Sequence, residues 1–167
     1  MFKSLIELVY GKPVRIRVEF ESRDYSLGET INLIIKMEPK QELTLNNGHI
    51  EFICEQTYSL THVRQVSIGR SGGMIRSSLV NPPSKITHPK REIHKYVDEF
   101  KHSSLDFVQE TTIHPDGNNN FEIDLPISQN LPPHINGKLK WYLLVSCEFK
   151  QIKALAVAKN VSVRLPE

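Results

Sequence analysis

From Val14 onward, apolar and polar positions alternate with period two. In VRIRVEFES, Val14, Ile16, Val18 and Phe20 fall on one side, and Arg15, Arg17, Glu19 and Glu21 on the other. That is the pattern of a half-buried strand with one wet face. Turn chemistry follows in SRDYSLGET, and then TINLIIKME places Ile31, Leu33, Ile35 and Met37 together. HIEFICEQTY sets Ile50, Phe52 and Cys54 against Glu51 and Glu55, and NNFEIDLP sets Phe121, Ile123 and Leu125 against Glu122 and Asp124. In WYLLVSCEFK, Trp141, Leu143, Val145, Cys147 and Phe149 face one way, and Tyr142 and Leu144 make the other face apolar too. This strand is therefore expected to be covered on both sides near its start. VAKNVSVRL closes the chain with Val157, Val161, Val163 and Leu165 in phase. Short strands separated by turn signals predict an all-β fold, a two-sheet antiparallel β-sandwich of immunoglobulin-like type. Val18, Phe52, Phe121, Trp141 and Val163 are expected to share one core, because each lies on the apolar side of its segment.

Two segments depart from this period. Phe2, Leu5, Ile6 and Val9 repeat at helical spacing and predict a short helix over Phe2–Tyr10, within an N-terminal segment of residues 1–12. Residues 13–167 are expected to form a single sandwich domain. GRSGGM and VNPPSKITHPKR carry the glycines, serines and prolines of a long loop over about residues 69–94. A loop of that length in a compact domain is usually either functional or disordered.

Composition narrows the choice. At 167 residues the chain suits one domain, able to bury roughly 70% of its unfolded surface without disulfides or metal. A net charge of +2 does not mark the whole molecule as a nucleic-acid binder. Its two cysteines are too few for a disulfide scaffold. Both lie in apolar strands and read as buried, reduced thiols, since a bond between them would require an oxidising compartment. The N-terminus lacks the apolar core and cleavage site of a secretory signal, and no run approaches the roughly 20 apolar residues of a membrane span. A cytoplasmic setting is expected.

With these elements in order, a resemblance emerges. YSLGETINLIIKM resembles the turn and second strand of arrestin-like domains: an aromatic, a Gly-Glu-Thr turn, then an alternating strand. ELTLNNGHIEFICEQTY is similar to the next strand, and VAKNVSVRL to the closing one. NNFEIDLPISQNLPPHINGKLKWYLLVSCEFK resembles the family's most distinctive segment. There an aromatic-led strand ends in an apolar-Pro pair, and Leu-Pro-Pro and a Gly precede a strand opening on paired aromatics. The resemblance runs from about Val14 to Leu165 and is poor between Gly69 and Lys101. It implies a single arrestin-like sandwich and a scaffold or adaptor role, as for arrestins, the retromer arrestin-like subunit and bacterial sporulation-control proteins. Arrestins proper carry two such domains and a lysine pair that senses phosphate; here Lys3 stands alone before Ser4, and no phosphate-binding residue is carried over. In this fold the proline pair and glycine read as a corner between strands. Pro132 and Pro133 have no N–H to satisfy, and Gly137 can take the positive φ that re-aims the chain toward Trp141.

Candidate chemistry is sparse. His88, His94, His102 and His114 fit neither a helical His-x-x-x-His pair nor a Cys/His zinc pattern, so no cofactor or metal is expected. A metal-dependent enzyme using these histidines, or a sandwich that binds a small ligand, are the competing readings. The clearest asymmetry is electrostatic. No acidic residue lies between Glu55 and Glu92, whereas Arg64, Arg70, Arg76, Lys85, Lys90 and Arg91 all do. These six are the candidate contacts for a protein partner that is acidic or phosphorylated, with a nucleic acid or an anionic lipid surface as alternatives. The absence of interleaved aromatics in this stretch argues against nucleic acid.

Overall fold

The computed structural model describes residues 12–67, 87–130 and 137–166. The expected helix over Phe2–Tyr10, the corner prolines Pro132 and Pro133, and Arg70, Arg76 and Lys85 lie outside the described residues. Eight strands run through the described residues: β1 (Val14–Phe20), β2 (Asp24–Ser26), β3 (Thr30–Pro39), β4 (Leu43–Ser67), β5 (Thr87–Ile113), β6 (Asn120–Pro126), β7 (Lys138–Phe149) and β8 (Leu155–Arg164).

They form two layers. One sheet has the order β1-β3-β6 and the other β2-β8-β7-β4-β5. Every long pairing is antiparallel; β2 alone runs parallel to its neighbour β8, over three residues. The inward rows of both sheets build one continuous core from the alternating residues of each strand. Ile31, Leu33, Ile35 and Met37 from β3 meet Ile50, Phe52 and Cys54 from β4 and Leu143, Val145 and Cys147 from β7. Trp141 is 5% exposed and stacks on Phe52 with centroids 5.2 Å apart, and Val18 is buried in the same cluster. Phe121 and Val163 differ from expectation. Both are only half-buried, at the margin of the core: β6 is an edge strand, where Phe121 packs on Phe107, and Val163 follows the point where β8 leaves its partner β7.

Gly137 does adopt the positive φ its corner requires, at 89°. It delivers the chain into β7 directly opposite Thr57 of β4.

Two assignments need correction. The SRDYSLGET segment contains the short strand β2, in which Tyr25 is buried. More consequentially, the part of the expected 69–94 loop that the structure describes, residues 87–94, is strand. Residues from Thr87 already belong to β5, a strand of 27 residues that the hydrophobic pattern did not reveal. β4 is almost as long, at 25 residues. Its pairing with β5 shifts register beside Gly48 and Phe52, where β5 carries one extra residue each time; such bulges increase local strand twist.

Candidate functional site

β4 and β5 outrun the sandwich. β7 covers β4 only from Leu45 to Thr57. Beyond that, among the described residues, Tyr58–Ser67 pairs with β5 alone, down to Ser67 opposite Thr87. At about 3.3 Å per residue, this two-stranded arm projects roughly 33 Å from the body. Opposed residues in an antiparallel pair share a face, so the register divides the arm into two surfaces of different chemistry.

One surface continues the core-facing row of β4 outward. Tyr58 stacks on Tyr96 with ring centroids 5.5 Å apart. The Tyr96 hydroxyl lies 3.0 Å from Nε2 of His62, and the His62 ring meets that of His94 edge-on at 4.9 Å. One step further, Arg64 sits opposite Lys90. Two carboxylates lie on this row, and both are engaged: Asp98 at the base accepts from the Tyr58 hydroxyl, and Glu92 further out has Lys90 Nζ 3.1 Å from its carboxylate and His94 Nε2 3.7 Å away. The hydrogen bond from Lys90, with further help from the charges of His94 and Arg64, holds the Glu92 carboxyl below the usual carboxylate range. Arg64 makes no ion pair with any described residue, so the surface keeps a net positive end beyond an aromatic base.

The opposite surface carries Thr57, Thr61 and Val63 from β4, and Arg91, Ile93, Lys95 and Val97 from β5. Ile93 is 72% exposed, Val63 61% and Val97 58%. Of the six candidate contacts, the structure therefore brings Arg64 and Lys90 together and sends Arg91 to the other face. Lys90 and Arg91 lie in a strand rather than in the expected loop. The aromatic and histidine row beside Arg64 was not anticipated. Its signal was the alternation of His94, Tyr96 and Asp98 with Ile93, Lys95 and Val97, visible only once the segment is read as a strand.

The remaining candidates for chemistry are quiet. Cys54 and Cys147 are free and buried, and desolvation pushes their thiols up to about 11 and about 12. Cys54 lies opposite Trp141, six residues along β7 from Cys147, a separation of about 20 Å that no disulfide spans. His88, His94 and His102 are spread along β5, and His114 follows its end. Among the described residues, no group of three or more His, Cys, Asp or Glu is placed to hold a metal ion. A cleft of about 530 Å³ opens between Phe20, Arg23, Asp24, Asn160 and Ser162. Its charges are engaged with neighbours: Arg23 with Glu21 and Glu29, Asp24 with Arg164. Among the described residues no helix is long and apolar enough to cross a membrane.

No family model and no curated protein matches the sequence. Among solved structures, the chain is similar to Spo0M, a sporulation control protein from Bacillus subtilis, with a TM-score of 0.58 and 10% sequence identity. The match covers 92% of this chain and 50% of that one, so the chain spans half the length of the protein it resembles. The likeness is one of fold, and it agrees with the arrestin-like sandwich expected from the motifs.

Proposed function

We propose that this chain is a non-catalytic, protein-binding module of arrestin-like type, and that it engages an acidic or phosphorylated segment of a protein partner through the Arg64–Lys90 end of the β4–β5 arm. The projection of that arm carries the reading. Two strands extend some ten residues past the last strand that covers them, and they add nothing to the core cluster. A sandwich supplies the rigid base on which such a projection can be used for binding.

The surface chemistry suits an acidic segment. Arg64 and Lys90 lie side by side, with Glu92 neutralised below them and stacked tyrosines at the base. A carboxylate or phosphate could take the guanidinium in a two-pronged hydrogen bond, while Tyr58 and Tyr96 present flat apolar area to its neighbours. The fold likeness to a sporulation control protein supports a regulatory, non-enzymatic role.

Binding of dye-labelled poly-glutamate and phosphoserine peptides, followed by fluorescence anisotropy beside an uncharged serine peptide, tests this. The acidic and phosphorylated peptides should bind more tightly than the neutral one, and their binding should weaken with salt as exposed charges are screened. R64S/K90S should weaken it by about 2- to 30-fold, at roughly 0.2–1 kcal/mol per exposed charge contact. Equal binding of all three peptides, or a double variant that binds like the parent at low salt, overturns the proposal.

A further inference from the structure

The outer surface of the arm, turned away from Arg64 and Lys90, is unaccounted for by that reading. We propose that this face docks against the same face of a second copy of the chain, joining two arms antiparallel about a twofold axis.

Among the described residues, the three most exposed large hydrophobic side chains, Ile93, Val63 and Val97, all lie here. The register places Val97 opposite Thr57, Ile93 opposite Thr61 and Val63 opposite Arg91, so they form one strip. Exposed apolar side chains gathered on one face, even with Lys95 between them, mark a candidate interaction site. A bare two-stranded ribbon is also marginal in water, and packing another layer on it supplies the stability it lacks.

The order of chemistry along the strip identifies the occupant. At the base, Glu55 and Glu99 face each other directly across the strands, an unfavourable like-charge pair. Lys140 stands opposite Glu55 on the inner side, and the Tyr142 hydroxyl donates to Glu99 at 3.0 Å. Next come Val97 and Thr57, then Lys95 and Ser59, then Ile93 and Thr61, and finally Arg91 beside Val63. Arg91 forms no ion pair with any described residue. The sequence along β5 is therefore acid, apolar, midpoint, apolar, base. Turned end for end about Lys95, the β5 row is complementary to itself, while the β4 row sets Thr57 against Thr61 and leaves Glu55 at the margin beside Val63. Val97 of each copy meets Ile93 of the other, and Glu99 of each meets Arg91 of the other. A twofold interface requires this property, because the same patch must serve both partners. Lys95 falls at the axis on an edge strand, where its long stem lets the ammonium lean out to water.

Sedimentation equilibrium of the intact chain and its charge variants tests the inference. The parent should form dimers as its concentration rises through the micromolar range, and Ile93→Asp should remain monomeric. Arg91→Glu and Glu99→Arg should each weaken the dimer about tenfold or more, since each places two like-charge contacts across the axis. Their equimolar mixture should dimerise again, because a strip acidic at both ends then meets one that is basic at both ends. Thermal melts confirm that each variant is folded. A parent that stays monomeric at the highest concentration, an Ile93→Asp chain that dimerises like the parent, or a mixture no better than its folded components overturns the proposal. None of these outcomes bears on peptide binding at Arg64 and Lys90, which lie on the other face.

Discussion

Gly137→Ala and Gly28→Ala make a matched pair of perturbations whose difference is set by what lies beside each glycine. Both glycines hold a positive φ, 89° at Gly137 and 88° at Gly28, where an L-residue with a Cβ is strained by roughly 1–2 kcal/mol. The surroundings differ. A Cβ on Gly28 would meet Cγ of Gln129 at 2.9 Å, and that side chain is exposed and can swing aside. A Cβ on Gly137 would stand 2.1 Å from the carbonyl oxygen of Thr57 and 3.0 Å from Cβ of Tyr58. Those atoms belong to β4 at the point where β7 begins to pair with it. Relief requires the strands to part there, giving up one or two ladder hydrogen bonds at about 0.5–1.5 kcal/mol each. Gly28→Ala should therefore cost about 1–2 kcal/mol and Gly137→Ala about 2–4 kcal/mol. For a chain of this size, each kcal/mol moves the melting temperature by about 2–4 °C. Urea unfolding followed by far-UV circular dichroism, with thermal melts in parallel, measures both variants. If the two lose the same stability, the close approach of Gly137 to β4 contributes nothing and the corner argument fails.

Other outcomes follow from the same packing and electrostatics. Trp141→Ala should cost about 3–5 kcal/mol as a large core truncation, and Trp141→Phe less, because a ring remains stacked on Phe52; a melt unchanged in the alanine variant would remove Trp141 from the core. Both thiols should resist labelling in the native state at pH 8 and react on denaturation, since burial raises them from 9.0 to about 11 and about 12. Folding favours their neutral form, so this contribution is intact below pH 9 and is lost as pH climbs toward those values; flat stability across that range would contradict it. Glu51 titrates the other way. The ammonium of Lys101 bonds its carboxylate and holds its pKa below 4.5 despite partial burial. Its contribution is present above that pH and declines as acid protonates it, so Glu51→Gln should flatten the acid limb of a stability–pH curve. Arg64→Ser with Lys90→Ser should leave stability within about 0.5 kcal/mol of the parent.

The strands that line the core were legible because each has one dry face and one wet one. In β3, Ile31, Leu33, Ile35 and Met37 are all buried, while Asn32 is exposed between them, so burial reproduces the period read from the residues. β7 was legible for the opposite reason. Its outer residues Tyr142 and Leu144 are partly covered, and a continuous apolar run reports that directly. The two residues placed too deep, Phe121 and Val163, have the right phase but sit where their strands meet the margin of the core. Periodicity reports which face a residue is on and is silent about how near it lies to the edge.

β5 was illegible because most of it has no dry face at all. Along the arm, Ile93 and Val97 are exposed, and so is Lys95, so no burial constraint imposed a contrast that alternation could show. The prolines and glycines between Gly69 and His94 then pulled the reading toward a loop. What survived was charge, since the absence of acids between Glu55 and Glu92 does not depend on knowing the local structure. Charge alone, however, counted Lys90 and Arg91 as one cluster. Consecutive residues in a strand point to opposite faces, so the pairing of Arg64 with Lys90 necessarily separates both from Arg91. That separation turns one basic stretch into two surfaces, one joining Arg64 and Lys90 to aromatic rings and to exposed Leu60 and Val66, the other carrying Ile93, Val63 and Val97 with charges in a self-complementary order along β5. It follows that variants on the two faces should act independently. R64S/K90S should impair acidic-peptide binding without changing the oligomer, and Arg91→Glu should do the reverse. A single variant that abolished both would mean the arm works as one undivided surface.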